Sequence, residues 1–175
     1  MHRRELLRLL GTGALLPFLP GSLDHAIAFG REAHRAALAH DFEALSAAQA
    51  ELVTTLADLI LPRTDTPGAS DVGVTAFIDH LLAHWYHDDE RADFLAGLGA
   101  IDRLAGGRFV ALAPAAQAEI LTRIDGVKGE PGSAEAEFGK LKSLTVYGYF
   151  TSERVVKDVL KSPLIPGHFD GCVKP

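Results

Sequence analysis

Three histidines, His80, His84 and His87, stand at successive steps of four and three residues. On an α-helix such steps bring a side chain back to one face after about a turn, so the imidazoles would form a stripe. Imidazole nitrogens at this spacing suit zinc, or a haem held without covalent attachment. Asp79, Asp88 and Asp89 flank the stripe as carboxylates able to orient the rings from behind. The zinc-protease pattern is missing, since no glutamate adjoins the first histidine. The competing reading is a solvated or partner-facing edge opposite Phe77, Leu81 and Trp85. On that reading, which is the expectation, this chain holds no metal.

A second polar constellation runs from Arg63 to Asp71, Arg-Thr-Asp-Thr-Pro-Gly-Ala-Ser-Asp, with a Pro67-Gly68 turn at its centre. Arg63 could reach a carboxylate on a partner. Alternatively the segment is a rigid connection whose Asp and Thr side chains satisfy its own amides. A third constellation places Tyr147, Tyr149 and Phe150 within four residues. Aromatics with a polar tip are common where another protein covers a surface. The spacing equally allows Tyr147 and Phe150, three apart, to be ordinary core.

Other chemistry is absent from the sequence. Its single cysteine, Cys172, allows no intramolecular disulfide and cannot hold an iron–sulfur cluster alone. No Cys-x-x-Cys-His binds c-type haem, no Gly-x-Ser-x-Gly elbow presents a nucleophile, and no Gly-x-Gly-x-x-Gly nucleotide fingerprint occurs. The net charge of −6 over 175 residues argues against nucleic acid, which needs clustered Lys and Arg, and against adhesion to anionic lipid. The length suits one domain.

The elements that must position these residues read as helices broken by glycine and proline. One is expected over about 24–40. A second starts at Ser46, where Ser46 and Gln49 have capping-box spacing, carries Leu52, Val53, Leu56, Leu59 and Ile60 on one stripe, and ends at Pro62. A third covers Thr75 to Tyr86. A fourth runs from a cap at Asp88 to Ala105 and stops at Gly106-Gly107. A fifth opens with Pro114 in its first turn. A sixth follows Ser133 to Phe150, and Thr151 would cap a short seventh to Leu160. Strand-like alternation is weak throughout. The fold class is therefore all-α, a single compact helical bundle.

An N-terminal signal helix precedes that bundle. Arg3 and Arg4 are followed, from Leu9 to Leu23, by 15 uncharged residues. A basic end, an apolar stretch and small residues at Ala26-Ile27-Ala28 are the layout of an export signal, and the arginine pair points to the twin-arginine route. The uncharged run is short of the roughly 20 residues that span a bilayer, and Gly11, Gly13, Pro17 and Pro20 weaken it as an anchor. The expected division is a signal over 1–28 and a helical domain over 29–175.

Four blocks resemble a known family: the Arg-Arg-Glu-Leu-Leu start; Leu61-Pro62-Arg63-Thr64-Asp65-Thr66-Pro67-Gly68-Ala69, followed by Val74-x-Ala76-Phe77-Ile78-Asp79; Leu144 to Glu153; and Pro166-Gly167-x-Phe169-Asp170-Gly171-Cys172. The chain is similar over nearly its whole length to the gluconate 2-dehydrogenase subunit 3 family. The resemblance implies a small, non-catalytic subunit of periplasmic flavin-dependent dehydrogenases acting on sugars, sugar acids or glucosides. It implies a large subunit of the glucose–methanol–choline type that holds FAD and, in several members, an iron–sulfur cluster, and a cytochrome c that often accepts the electrons. The small subunit would help the large one mature and escort it through the twin-arginine translocon, which Arg3 and Arg4 would engage. The complex would then be periplasmic and held at the membrane. Candidate partner-binding residues are Arg63, Asp65, Thr66, Pro67 and Gly68 in the loop, Tyr147, Tyr149, Phe150, Thr151 and Glu153 in the aromatic stretch, and Cys172. The last would approach the partner's cluster, or be a tail thiol with no role.

Overall fold

The structure, a computed structural model, describes residues 42–161. Five helices form there: α1 (Ala47–Ile60), α2 (Val74–His84), α3 (Asp88–Leu104), α4 (Pro114–Ile124) and α5 (Ala134–Thr151). Short 3₁₀ turns at Ser70–Val72 and Phe109–Ala111 and a π-helical turn at Val155–Val159 complete the described residues, which contain no strand. The all-helical expectation holds for them. The signal segment, the helix expected over 24–40, Arg3, Arg4 and Cys172 lie outside the described residues.

Local chemistry sets the helix ends. The Ser46 hydroxyl accepts from the Gln49 amide while the Gln49 side chain accepts from the Ser46 amide at 2.9 Å, which closes the anticipated capping box. Pro114 occupies the first turn of α4, and Ser133 caps α5 by accepting from Ala136 N at 3.2 Å. Asp88 is not a cap. It is the first residue of α3, His87 takes the cap position, and Glu90 reaches back to the His87 amide at 3.1 Å. Three acidic residues thus fall within the first turn, where the helix dipole favours them.

The end of α5 also departs from expectation. Thr151 is its last residue rather than the cap of a new helix, and its hydroxyl donates back to the Tyr147 carbonyl at 2.8 Å. Buried Ser152 makes the corner instead. Its hydroxyl donates to the Tyr149 carbonyl at 2.7 Å and accepts from Val155 N at 3.4 Å. The segment beyond is the π turn, wound one residue wider than an α-helix.

Helix α5 is the hub, packing on α1, α2, α3 and α4 and on the π turn. Val53 and Leu56 from α1, Ile78 and Leu82 from α2, Phe94, Leu98 and Ile101 from α3, and Phe138 and Leu141 from α5 fill the core around it. Full burial of such a side chain contributes roughly 1.5–3 kcal/mol, whereas helices of this length are marginal in isolation, so packing sustains the elements. Where α3 meets α5 the backbones come close enough that a Cβ on Gly97 would lie 2.3 Å from Cβ of Glu137. Glu137 is itself buried, and its Oε1 accepts from Gly132 N at 3.1 Å and Lys140 Nζ at 3.0 Å.

Candidate docking surface and histidine cluster

The Arg63–Asp71 loop is knotted on itself. Arg63 pairs with Asp71, whose other carboxylate oxygen accepts from Gly68 N at 2.8 Å. Thr64 N donates to Thr66 O at 3.1 Å, Ala69 N to Leu61 O at 3.0 Å, and Ser70 N to Asp58 Oδ1 of α1 at 2.9 Å. The turn needs glycine at 68, because a Cβ there would sit 2.9 Å from the Arg63 backbone nitrogen. Of the two sequence readings, the self-satisfied connection describes this loop: the Arg63 guanidinium is engaged within it. Asp65 is exposed at the tip and accepts from the Thr64 hydroxyl at 2.9 Å. Thr66 and Pro67 are half-buried.

The two candidate segments, far apart in sequence, meet. Tyr149 Oη donates to the Pro67 carbonyl at 2.8 Å, and Arg154 Nη1 to the Asp71 carbonyl at 3.5 Å. Within the aromatic triplet it is Tyr149 that is buried, while Tyr147 and Phe150 are 49 % and 46 % exposed. Of the two readings left open for the latter pair, ordinary core is the one the structure rules out. The reason is helical phase: Tyr149 faces the loop, and its neighbours in sequence turn away on either side. Phe150 stands edge-on to Tyr149 with centroids 5.3 Å apart, and Tyr147 leans on Phe77 of α2 at 5.9 Å. Gly148 lets α5 approach α2, since a Cβ there would lie 2.7 Å from Phe77 Cδ1. Thr151 and Glu153 are exposed beside this patch, and Glu153 pairs with Lys157, which holds that ammonium above its ordinary pKa.

The histidine stripe resolves differently. His80 is buried, its ring centroid lies 4.4 Å from that of exposed His84, and His84 Nε2 is 3.2 Å from Glu43 Oε2. Glu43, His80 and His84 each offer a ligand atom within 4.8 Å of the others. His87, past the end of α2 and at the cap of α3, is not one of the three.

Asp79, one of the carboxylates that could have oriented the histidines, does other work. Its buried carboxylate accepts from the amides of Glu43, Ala44 and Leu45 at 2.9, 3.0 and 2.8 Å. That clamp ties the start of the described chain to α2. Asp88 pairs with Arg91 at 2.6 Å, and Asp89 accepts from Glu90 N at 3.0 Å. Nearby, Tyr86 has its phenol pKa raised, mainly by burial and further by the carboxylates of Glu90 and Glu137.

Sequence reasoning missed Glu43 because it lies in the gap before Ser46, outside every periodic stripe. It missed the clamp because Asp79 and residues 43–45 are separated by a whole helix. An acidic residue on the apolar face of α2 was the available signal, since a carboxylate buried there must find donors.

Fold and surface together define a small helical protein with a locked polar loop and an aromatic ridge beside it. The family model described as Gluconate 2-dehydrogenase subunit 3 matches residues 47–167, more than half of the chain, and the chain belongs to that family. No curated protein and no solved structure matches it.

Proposed function

We propose that this chain is the non-catalytic small subunit of a periplasmic, FAD-dependent dehydrogenase acting on sugars, sugar acids or glucosides. In this reading it helps a large flavoprotein subunit without its own signal to mature, and takes that subunit outward through the twin-arginine translocon. FAD, and in some complexes an iron–sulfur cluster, belong to the large subunit, and in many such complexes a cytochrome c subunit accepts the electrons. The assembled complex sits at the membrane on its periplasmic side.

The observation that carries the reading is the family match across residues 47–167, which covers both the loop and the aromatic stretch. Its name is that of a subunit, and a subunit needs a surface to offer. Half-exposed Phe150 rests on Tyr149, which its bond to the Pro67 carbonyl fixes, and half-exposed Tyr147 rests on Phe77, so both pay little ordering entropy on contact. Exposed Asp65, Thr151 and Glu153 would form the polar rim.

The test replaces Arg3 and Arg4 by Lys in a host expressing both subunits, and follows each by fractionation. Both subunits are expected to stay in the cytoplasm. Normal periplasmic dehydrogenase activity after that change would overturn the escort role.

A further inference from the structure

Beyond any role in a complex, the geometry points to a divalent transition-metal site formed by Glu43, His80 and His84, with Zn²⁺ as the ion it fits best. Two imidazoles at i and i+4 on α2 and one carboxylate supply a nitrogen- and oxygen-donor set that suits zinc, copper, nickel and iron rather than magnesium or calcium. Around a tetrahedral zinc with bonds of about 2.0–2.1 Å, ligand atoms stand about 3.3 Å apart. His84 Nε2 and Glu43 Oε2 are 3.2 Å apart, so one edge of that tetrahedron has formed. All three donor atoms fall within 4.8 Å of one another, and binding would draw His80 onto the same ion. Water would take the fourth position.

Two features set this cluster apart from a chance meeting of surface groups. One ligand, His80, is buried, which excludes competing water from its side of the ion. The third ligand is placed by architecture: Asp79, adjacent to His80, grips the amides of residues 43–45 and so holds the Glu43 backbone beside α2. Metal bound here would fasten the stretch leading into α1 to α2 a second time, through side chains instead of amides. The stripe of three histidines read from the sequence thus gives way to two histidines and a glutamate.

The complete chain, stripped with EDTA and dialysed, is titrated with Zn²⁺ by calorimetry and with Co²⁺ by visible absorption. One equivalent of Zn²⁺ should bind saturably, and Co²⁺ should give the intense d–d bands of four-coordination. His84→Ala and Glu43→Gln alter exposed groups, so their far-UV circular dichroism in EDTA should match that of the unsubstituted chain. Each should weaken Zn²⁺ at least tenfold, and His84→Ala should abolish the Co²⁺ bands. Zn²⁺ should raise the thermal midpoint of the unsubstituted chain but not that of His84→Ala. His87→Ala should bind as the unsubstituted chain does. Absence of stoichiometric binding, or binding that survives both His84→Ala and Glu43→Gln, would overturn the site.

Discussion

Tyr149 and Pro67, 82 positions apart, are joined by a 2.8 Å hydrogen bond from phenol to main-chain carbonyl. The bond makes one surface of a loop and a helix end. Tyr149→Phe keeps the ring and removes only the donor. It should cost about 1 kcal/mol, or a few degrees in thermal midpoint, with helix content unchanged. Hydrogen exchange should quicken at Gly68 and Ala69 and stay as it was in α3. Uniform acceleration over the whole molecule would mean that the bond does not act on the loop.

Glycines 139 and 148 lie on the same helix and should respond to alanine with opposite signs. At Gly148 the new methyl would sit 2.7 Å from the Phe77 ring, and relieving that overlap should cost about 1–3 kcal/mol. At Gly139 nothing lies within 4 Å, so alanine should stabilise by up to about 1 kcal/mol through helix propensity. Denaturant midpoints of the two variants check this directly, and Phe77→Leu should recover part of the loss at position 148. Equal effects at both sites would mean that α5 does not approach α2 as described.

Asp79→Asn leaves one acceptor oxygen and an NH₂ group facing three amide donors. The loss of charge-assisted bonds and the stranding of at least one amide should cost about 2–3 kcal/mol. The measurable signature is early exchange of the amides of residues 43–45 while α5 stays protected. A variant as stable as the parent would show that the clamp carries no net stability.

These contacts mark where sequence reading succeeds and where it stops. Ser46 with Gln49, Pro114 and Ser133 announce helix ends because capping depends on residues three or four apart, and the apolar stripes fix which faces turn inward. Register along the chain does not say which stripe faces which, so Tyr149 meeting Pro67 was illegible, as was Asp79 meeting residues 43–45. The ambiguity over Tyr147 and Phe150 had the same origin. Three aromatics within four residues satisfy a helical period in more than one phase, and only the loop's position selects Tyr149 as the buried member.

Tyr86 supplies a pH dependence. Burial and the nearby Glu90 and Glu137 carboxylates favour its neutral phenol in the folded chain, raising the pKa above the ordinary 10.0. The unfolded chain therefore loses this proton first. Below pH 10 the contribution is fully present, and it is lost as pH climbs from about 10 through the folded value. Tyr86→Phe removes that titration. Its urea midpoint should fall less steeply above pH 10 than that of the parent, other tyrosines and lysines being common to both. Parallel curves would mean that Tyr86 titrates alike in the two states.

Tyr147 and Phe150 carry the last prediction, which separates docking from packing. Each is about half exposed, and each keeps one aromatic neighbour, Phe77 or Tyr149. Replacing both by Ser should therefore lower stability by only about 1–2 kcal/mol, leaving a folded chain. Interface aromatics of this kind commonly contribute more than 1 kcal/mol each to binding, so the pair should weaken capture of the flavoprotein subunit about a hundredfold. Leu104 and Val127 are comparably exposed elsewhere on the chain and give the control. Serine at those two positions should leave capture unchanged. Co-purification of the two subunits, followed by a titration in solution, reads both effects. Wild-type affinity in the Tyr147→Ser, Phe150→Ser variant would move the dock to another face, and an equal loss in the control would assign the effect to stability in place of contact.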